Sequence, residues 1–264
     1  MTETHPDLKL RVENLVVKYA DHQVLSDIHF TIHPGEVAAL IGPNGAGKTT
    51  LIKAISGIIP ISNGHVYIDG SDIHDLHDQA RSRLLSVIPQ ARNLPAAFTV
   101  GEVVAMGRTA YIGWLGKLSR EDEIIVESAM EKTNLLELKD RRLGELSGGE
   151  QQRVLVARAI CQQAKVMLLD EPTTHLDIQY QVSLLKFLHS LAHEDKLVVI
   201  MAIHDLNMAE RYADQVIALA NGKIKAIGKP DQVLTEIILS ELFHVPMRSI
   251  SFAGESGKFI VPNP

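Results

Sequence analysis

The chain is poor in cysteine, in long apolar runs and in net positive charge, and each scarcity excludes something. One cysteine in 264 residues, Cys161, rules out an internal disulfide framework and fits a reducing compartment. Its apolar helical surroundings mark it as core filler rather than a reactive thiol. The longest unbroken apolar run, LVVIMAI at 197–203, is far shorter than a membrane-crossing helix requires. The opening MTETHPDLKL lacks the basic-then-apolar pattern of an export signal, so any membrane role is expected to work through a partner. A net charge of −6 argues against a general nucleic-acid binder, which needs a basic face. There are no internal repeats, no low-complexity linker and no sustained heptads. The 12 histidines are expected to stand singly, at His5, His22, His29, His33, His65 and onward, without the clustered spacing of a transition-metal site.

What remains, 45% hydrophobic and 22% charged residues, is the composition of a soluble globular chain. From Leu8 to Val37, alternating runs such as IHFTIH, with Ile28, Phe30 and Ile32 on one face, predict antiparallel strands. EVAALI at 36–41 is continuously apolar and ends in a glycine loop, after which TTLIKAISGII keeps helical spacing. GHVYIDGSDI predicts a hairpin turning at Asp69-Gly70, and a last hairpin turns at Asn221-Gly222. Residues 91–160 read as mostly helical, with Ile124, Ile125, Ala129 and Met130 on one packed stripe. VMLLD at 166–170 and LVVIMAI alternate with helices, as a parallel sheet needs; the tail from about Asp231 reads as a short helix and an uncommitted end.

The most specific motif is GPNGAGKT at 42–49, a full G-x-x-x-x-G-K-[ST] between strand and helix. Gly42, Gly45 and Gly47 can wrap backbone N–H groups around a β-phosphate at a helix N-terminus, with Pro43, Asn44 and Ala46 in the same loop. Lys48 can reach the β- and γ-phosphates, and Thr49, followed by Thr50, offers a hydroxyl to Mg2+. Downstream, VMLLDEP projects Asp170 toward that metal and sets Glu171 to polarise a water. A second glycine-rich segment, LSGGEQQR at 146–153, poses a question, because one chain needs only one phosphate loop.

Together these motifs resemble the nucleotide-binding subunit of an ABC transporter, and the likeness extends from Tyr19 to about Gly228. The resemblance implies an α/β fold: a P-loop NTPase (RecA-like) core, an antiparallel β subdomain and an inserted α-helical subdomain. It also answers the question of the second segment. Ser147, Gly148 and Gly149 are expected to contact the γ-phosphate of an ATP held by a second copy, in a head-to-tail homodimer sharing two ATP·Mg2+. By the same resemblance Tyr19 stacks on adenine, Gln90 joins Mg2+ and the attacking water to the helical lobe, and His204 contacts the γ-phosphate. THLD at 174–177 resembles the D-loop; Thr174 and His175 depart from the frequent Ser-Ala, so Asp177 is the safer carry-over and His175 reads as family variation.

The implied layout is one ABC ATPase domain over 1–264. Residues 1–90 and 161–230 form the nucleotide-binding core, 91–160 the helical lobe and 231–264 a short tail. By the resemblance, the apolar stretch after Gln90, containing Tyr111 and Trp114, borders the groove where such subunits receive a permease; the alternative for Trp114 is ordinary core packing. GRTAYIGWLG and EPTTHLDI are most similar to ATPases of importers for ferric siderophores, haem and cobalamin, peripheral on the cytoplasmic membrane face, with a substrate-binding protein as an indirect partner. The rival reading is an accessory ABC ATPase of iron–sulfur cluster assembly or another non-transport ABC ATPase. A twin-cassette protein would need a second Walker A loop, and a P-loop kinase would leave LSGGEQQR without a role.

Overall fold

The computed structural model describes residues 10–20, 22–90, 96–112, 116–174, 176–250 and 257–263. Apolar alternation makes two long strands, β1 (Leu10–Tyr19) and β2 (His22–Ile32), paired antiparallel. The register slips between Val12 and Leu15, with Asn14 at φ 47° and, in the partner strand, Asp27 at φ 53°. These bulges keep Leu15 and Ile28 facing the core beside Leu10, Val12, Phe30 and Ile32. β3 (Val37–Ile41) is buried at every position and leads through the glycine loop into α1 (Lys48–Ile55). β4 (Asn63–Ile68) and β5 (Ser71–Asp72) complete a four-stranded sheet in the order β2-β1-β4-β5. Their turn is at Asp69-Gly70 as expected, with φ of 52° and 78°, the double positive pair of a tight hairpin.

α2 (Asp78–Leu84) runs directly into β6 (Leu85–Ile88). The described part of the next segment is helical: α3 (Val100–Ala105), α4 (Thr109–Ile112), α5 (Arg120–Lys132) and α6 (Gly148–Cys161). Val100, Val103, Val126, Met130, Val154 and Cys161 form its apolar centre. Burial pushes the Cys161 thiol up to about 11, in keeping with core filler.

The stripe expected on α5 needs correction. Ala129 and Met130 are buried, but Ile124 is 60% exposed and Ile125 only half-buried. The inward face is instead set by Asp122, whose carboxylate accepts from Arg108 Nε at 2.8 Å while Arg108 Nη1 donates to the Cys161 carbonyl at 3.0 Å. Burying this ion pair turns Val126 inward and carries Ile124 round to the surface. Periodicity that counts only apolar residues misses a charged group at the centre of a packed face.

β7 (Val166–Asp170), α7 (Ile178–Asp195), β8 (Val198–Ala202), α8 (Leu206–Tyr212), β9 (Gln215–Ala220) and β10 (Lys223–Gly228) follow. The main sheet has the order β10-β9-β3-β8-β7-β6, parallel except for the β9–β10 hairpin. One face packs on α1 and the antiparallel sheet, through Leu51, Ile52 and Leu15; the other packs on α7 and α8, through Leu185, Leu188 and Ala209. A parallel sheet covered on both faces needs continuously apolar strands, which is why β3, β7 and β8 lack alternation.

Two further expectations change. The tail is not an uncommitted end: α9 (Pro230–Val233) and α10 (Glu236–Phe243) pack on the core through Val233, Leu239 and Leu242, and β11 (Met247–Ile250) pairs with β12 (Phe259–Pro262). The pairing joins two consecutive four-residue, half-exposed strands, a pattern too short and too weakly apolar to read locally. Nor do all the histidines stand alone. His189 and His193 lie one turn apart on α7, with ring centroids 4.2 Å apart. Trp114 and His175 lie outside the described residues.

Candidate nucleotide site

The parallel strands deliver the expected residues to one edge of the sheet. The glycine loop follows β3, Gln90 follows β6, Asp170 ends β7 and His204 follows β8; with β3-β8-β7-β6 adjacent, four carboxyl ends converge. Crevices beyond the carboxyl ends of parallel strands are where α/β sheets bind ligands.

In the loop, Gly42 has no room for a side chain: a Cβ there would lie 2.1 Å from the Leu219 carbonyl oxygen. The loop is braced from outside, since Gly222 N–H donates to the Ala46 carbonyl at 3.1 Å and Ser26 N–H donates to that of Gly222 at 2.8 Å. Pro43 accepts from the Ala46 amide at 3.1 Å. Gly47, the N-cap of α1, supplies no side-chain cap, so the first turn directs backbone N–H groups toward the loop without a competing hydroxyl. Lys48 donates from Nζ to the carbonyls of Gly42 at 2.7 Å and Pro43 at 3.1 Å. Burial lowers its pKa, with Glu171 and Asp170 opposing the shift.

Thr49 Oγ1 donates to Asp170 Oδ1 at 3.0 Å. Asp170 is buried, and desolvation raises its pKa; the Thr49 bond works against that rise and the Glu171 charge adds to it. The two side chains offer hard oxygen atoms side by side, the donor set Mg2+ takes, so the residues fit the ion as the glycine loop and Lys48 fit a phosphate chain. Glu171 is held by two other segments and by its own turn. Gln90 Nε2 donates to its Oε2 at 2.6 Å, His204 Nε2 donates to Oε1 at 2.5 Å, and Thr174 Oγ1 reaches Oε2 at 3.3 Å. Its backbone is left-handed, at φ 52°, an uncommon conformation for a non-glycine residue and one that collects at functional sites.

The remaining expected residues lie apart from this hydrogen-bonded group. Tyr19 ends β1 with 48% of its surface exposed, where a ring can be presented to a base. Thr50 sits in the first turn of α1. Ser147 caps α6, ahead of Gly148 and Gly149. Its Oγ donates to Glu150 Oε2 at 2.7 Å and accepts from the Glu150 amide at 3.3 Å. The Ser147 hydroxyl, then the Ser147 N–H, which donates to the same Oε2 at 2.8 Å, lower the Glu150 pKa. Asp177 precedes α7 and makes no side-chain cap.

Sequence reasoning missed three contributors. Glu150 was visible as the fourth residue of an S-x-x-E capping box. Thr174 stands three residues after Glu171 in the same turn, a local contact that no motif announces, whereas the Leu219–Gly222 brace depends on segments brought together only by the fold.

A P-loop between buried strand and helix, with a histidine after the adjacent strand β8 and an acidic pair at the end of β7 beyond it, defines a P-loop nucleotide-binding protein. The family description "ABC transporter" matches residues 25–174. The iron(3+)-hydroxamate import ATP-binding protein of Bacillus subtilis is 37% identical over 236 residues, covering 89% of this chain and 88% of the relative. The cobalamin import ATP-binding protein of Halobacterium salinarum is 40% identical over 228 residues; the match covers 86% of this chain and 57% of that longer relative. A metal-chelate type ABC transporter in an inward-facing conformation superposes with a TM-score of 0.85 at 30% identity, over 97% of this chain and 98% of the other. The chain belongs to the ABC transporter family, with the ABC ATPase fold of its ATP-binding subunits.

Proposed function

We propose that this chain is the ATP-hydrolysing subunit of an importer, working as a head-to-tail homodimer on the cytoplasmic face of the membrane and driving membrane permease subunits. The observation that carries the catalytic part is the convergence of Gln90, His204 and Thr174 on Glu171, beside the Thr49–Asp170 pair. Gly42 to Thr50 bind the phosphates, Tyr19 the adenine, and Thr49, Asp170 and Gln90 surround Mg2+. Ser147, Gly148, Gly149 and Asp177 act across the dimer. Mg2+, when bound, withdraws charge from the phosphate oxygens. Glu171 orients and deprotonates the attacking water, while Gln90 and His204 hold that carboxylate in place.

The relatives favour import over iron–sulfur cluster assembly, and the cargoes in their names, a ferric hydroxamate and cobalamin, support an iron chelate (siderophore, haem) or cobalamin as the transported class. No helix among the described residues is long and apolar enough to cross a membrane, which supports peripheral attachment through a permease. The core of 1–90 and 161–230, the helical lobe of 91–160 and the tail of 231–264 are the units that would move on closure. Tyr111, stacked 3.9 Å beneath the Arg108 guanidinium, belongs to the surface proposed to dock the permease, with Trp114 nearby in sequence.

The test is Glu171→Gln. MgATP binding should persist while phosphate release falls by roughly 10²-fold or more, the scale of losing a positioned general base; near-normal turnover would reject the assignment. Co-purification from native cells, with identification of the attached membrane subunit, tests the transport reading separately.

A further inference from the structure

At the opposite end of the main sheet from the P-loop, the same strand β3 begins beside a second cluster of chemistry-bearing side chains. His189 and His193 project from one face of α7, one helical turn apart, and Asp214 stands in the turn between α8 and β9. One ligand atom from each of the three lies within 4.8 Å of the others. None of the three takes part in the nucleotide site.

The hydrogen bonds around His193 and Asp214 fix which of their atoms face the centre. His193 Nδ1 lies 2.8 Å from the His189 carbonyl oxygen, which can only accept, so Nδ1 carries the proton. In neutral imidazole that leaves Nε2 as a lone pair, and Nε2 lies 3.3 Å from Asp214 Oδ1. A lone pair facing a carboxylate oxygen calls for a cation between them, a proton on the ring or a metal ion. Asp214 is itself anchored, its Oδ2 accepting from Val37 N–H at 2.8 Å and its own amide donating to the Val37 carbonyl at 2.8 Å. Metal-ligating histidines usually donate the second ring N–H to a carbonyl or carboxylate, and ligating carboxylates are usually hydrogen-bonded in turn. Both supports are in place here.

We propose that His189, His193 and Asp214 form a binding site for a divalent first-row transition-metal cation, with Zn2+ as the fitting probe. Two imidazoles and one carboxylate form a borderline donor set that suits Zn2+ and its neighbours rather than Mg2+ or Ca2+. Three protein ligands leave a fourth position for water. Occupancy would tie the last turns of α7 to the first residue of β3 through Asp214. The site is independent of the nucleotide reading, since it shares no residue with the P-loop, Asp170 or Glu171.

The experiment is a calorimetric titration of the untagged, metal-stripped, nucleotide-free full chain with ZnCl2. The wild type should bind one more equivalent in the tight phase than His189→Ala/His193→Ala, whose changes fall on a half-exposed helix face and leave the core intact. Asp214→Asn should weaken that equivalent about 10-fold or more, and His33→Ala, an exposed histidine elsewhere, should leave it unchanged. Because the Asp214 variant also touches the sheet, a Co2+ absorption spectrum on folded protein provides the second readout. Ligand-field bands should appear in the wild type and vanish in the double histidine variant. Identical isotherms and spectra for wild type and double variant would overturn the proposal, as would equal loss in His33→Ala.

Discussion

Three helices of the inserted segment begin in the opposite way to the two helices that follow the P-loop and the THLD segment. α3, α5 and α6 each open with a reciprocal capping box, Thr99 with Glu102, Ser119 with Asp122 and Ser147 with Glu150. α1 and α7, which follow the P-loop and the THLD segment, open at Gly47 and Asp177 with no side-chain cap. A capped start satisfies its N–H groups at home and is stable without help. An uncapped start directs N–H groups and the positive end of the helix dipole toward whatever anion arrives. Ser147 belongs to both kinds. In this structure it is spent on Glu150, and contact with a neighbour's γ-phosphate would require that hydroxyl to turn away from its own helix.

The largest expected effect tests whether the two kinds of helix start meet across a dimer. In a Glu171→Gln background that traps ATP, Lys48→Ala damages the P-loop and Ser147→Arg puts a bulky cation where a phosphate should sit. A heterodimer carrying one lesion per chain has one intact composite site and should retain ATP. Placing both lesions in one chain, paired with an otherwise unaltered partner, leaves neither site intact and retention should collapse. Measured on differently tagged heterodimers, greater retention in the second pairing would refute sharing.

Next in size is Asp122→Ala, which removes a capping partner and strands buried Arg108. A loss of about 3–5 kcal/mol in denaturant unfolding is expected, the scale of breaking a buried pair. The Asp122 carboxyl is held below its ordinary 3.8 by hydrogen bonds from Ser119, then Arg108. A depressed carboxylate contributes stability above its unfolded pKa and loses it as pH falls through the folded value. The wild type should therefore lose more stability than Asp122→Asn on acidification below pH 3.8. Thr99→Ala should cost about 1 kcal/mol, the value of an N-cap. The smallest effect is at Asp177→Ala. With no cap to lose, unfolding should shift within about 0.5 kcal/mol, and a loss equal to that of Thr99→Ala would erase the contrast between the two kinds of helix.

What could be read in advance was local. The Asp69-Gly70 and Asn221-Gly222 turns announce themselves because two adjacent positive φ angles demand those residues. The P-loop is legible because strand, loop and helix are contiguous. Ile124 misled because the inward face of α5 is organised by a buried charge whose partner, Arg108, stands outside the helix. The His189–His193 spacing fits one helix face, but Asp214 joins it only through the packing of α7 against the sheet. Glu171 could be named as a base from the acidic pair. That Gln90 and His204 both bond to it follows from the order of the strands, with β6 and β8 flanking β7.

The brace on the P-loop has a mechanical consequence. Gly222 links the loop, through Ala46, to β2, through Ser26, and a Cβ at Gly222 would fall 2.0 Å from the Val24 carbonyl oxygen. The compliance of the phosphate cradle is thus set at a junction in the hairpin after β9, outside the motif. Any side chain at position 222 acts as a wedge against β2, and the exchange rate of the Gly222 amide, which donates to Ala46, becomes a strain gauge for the phosphate loop.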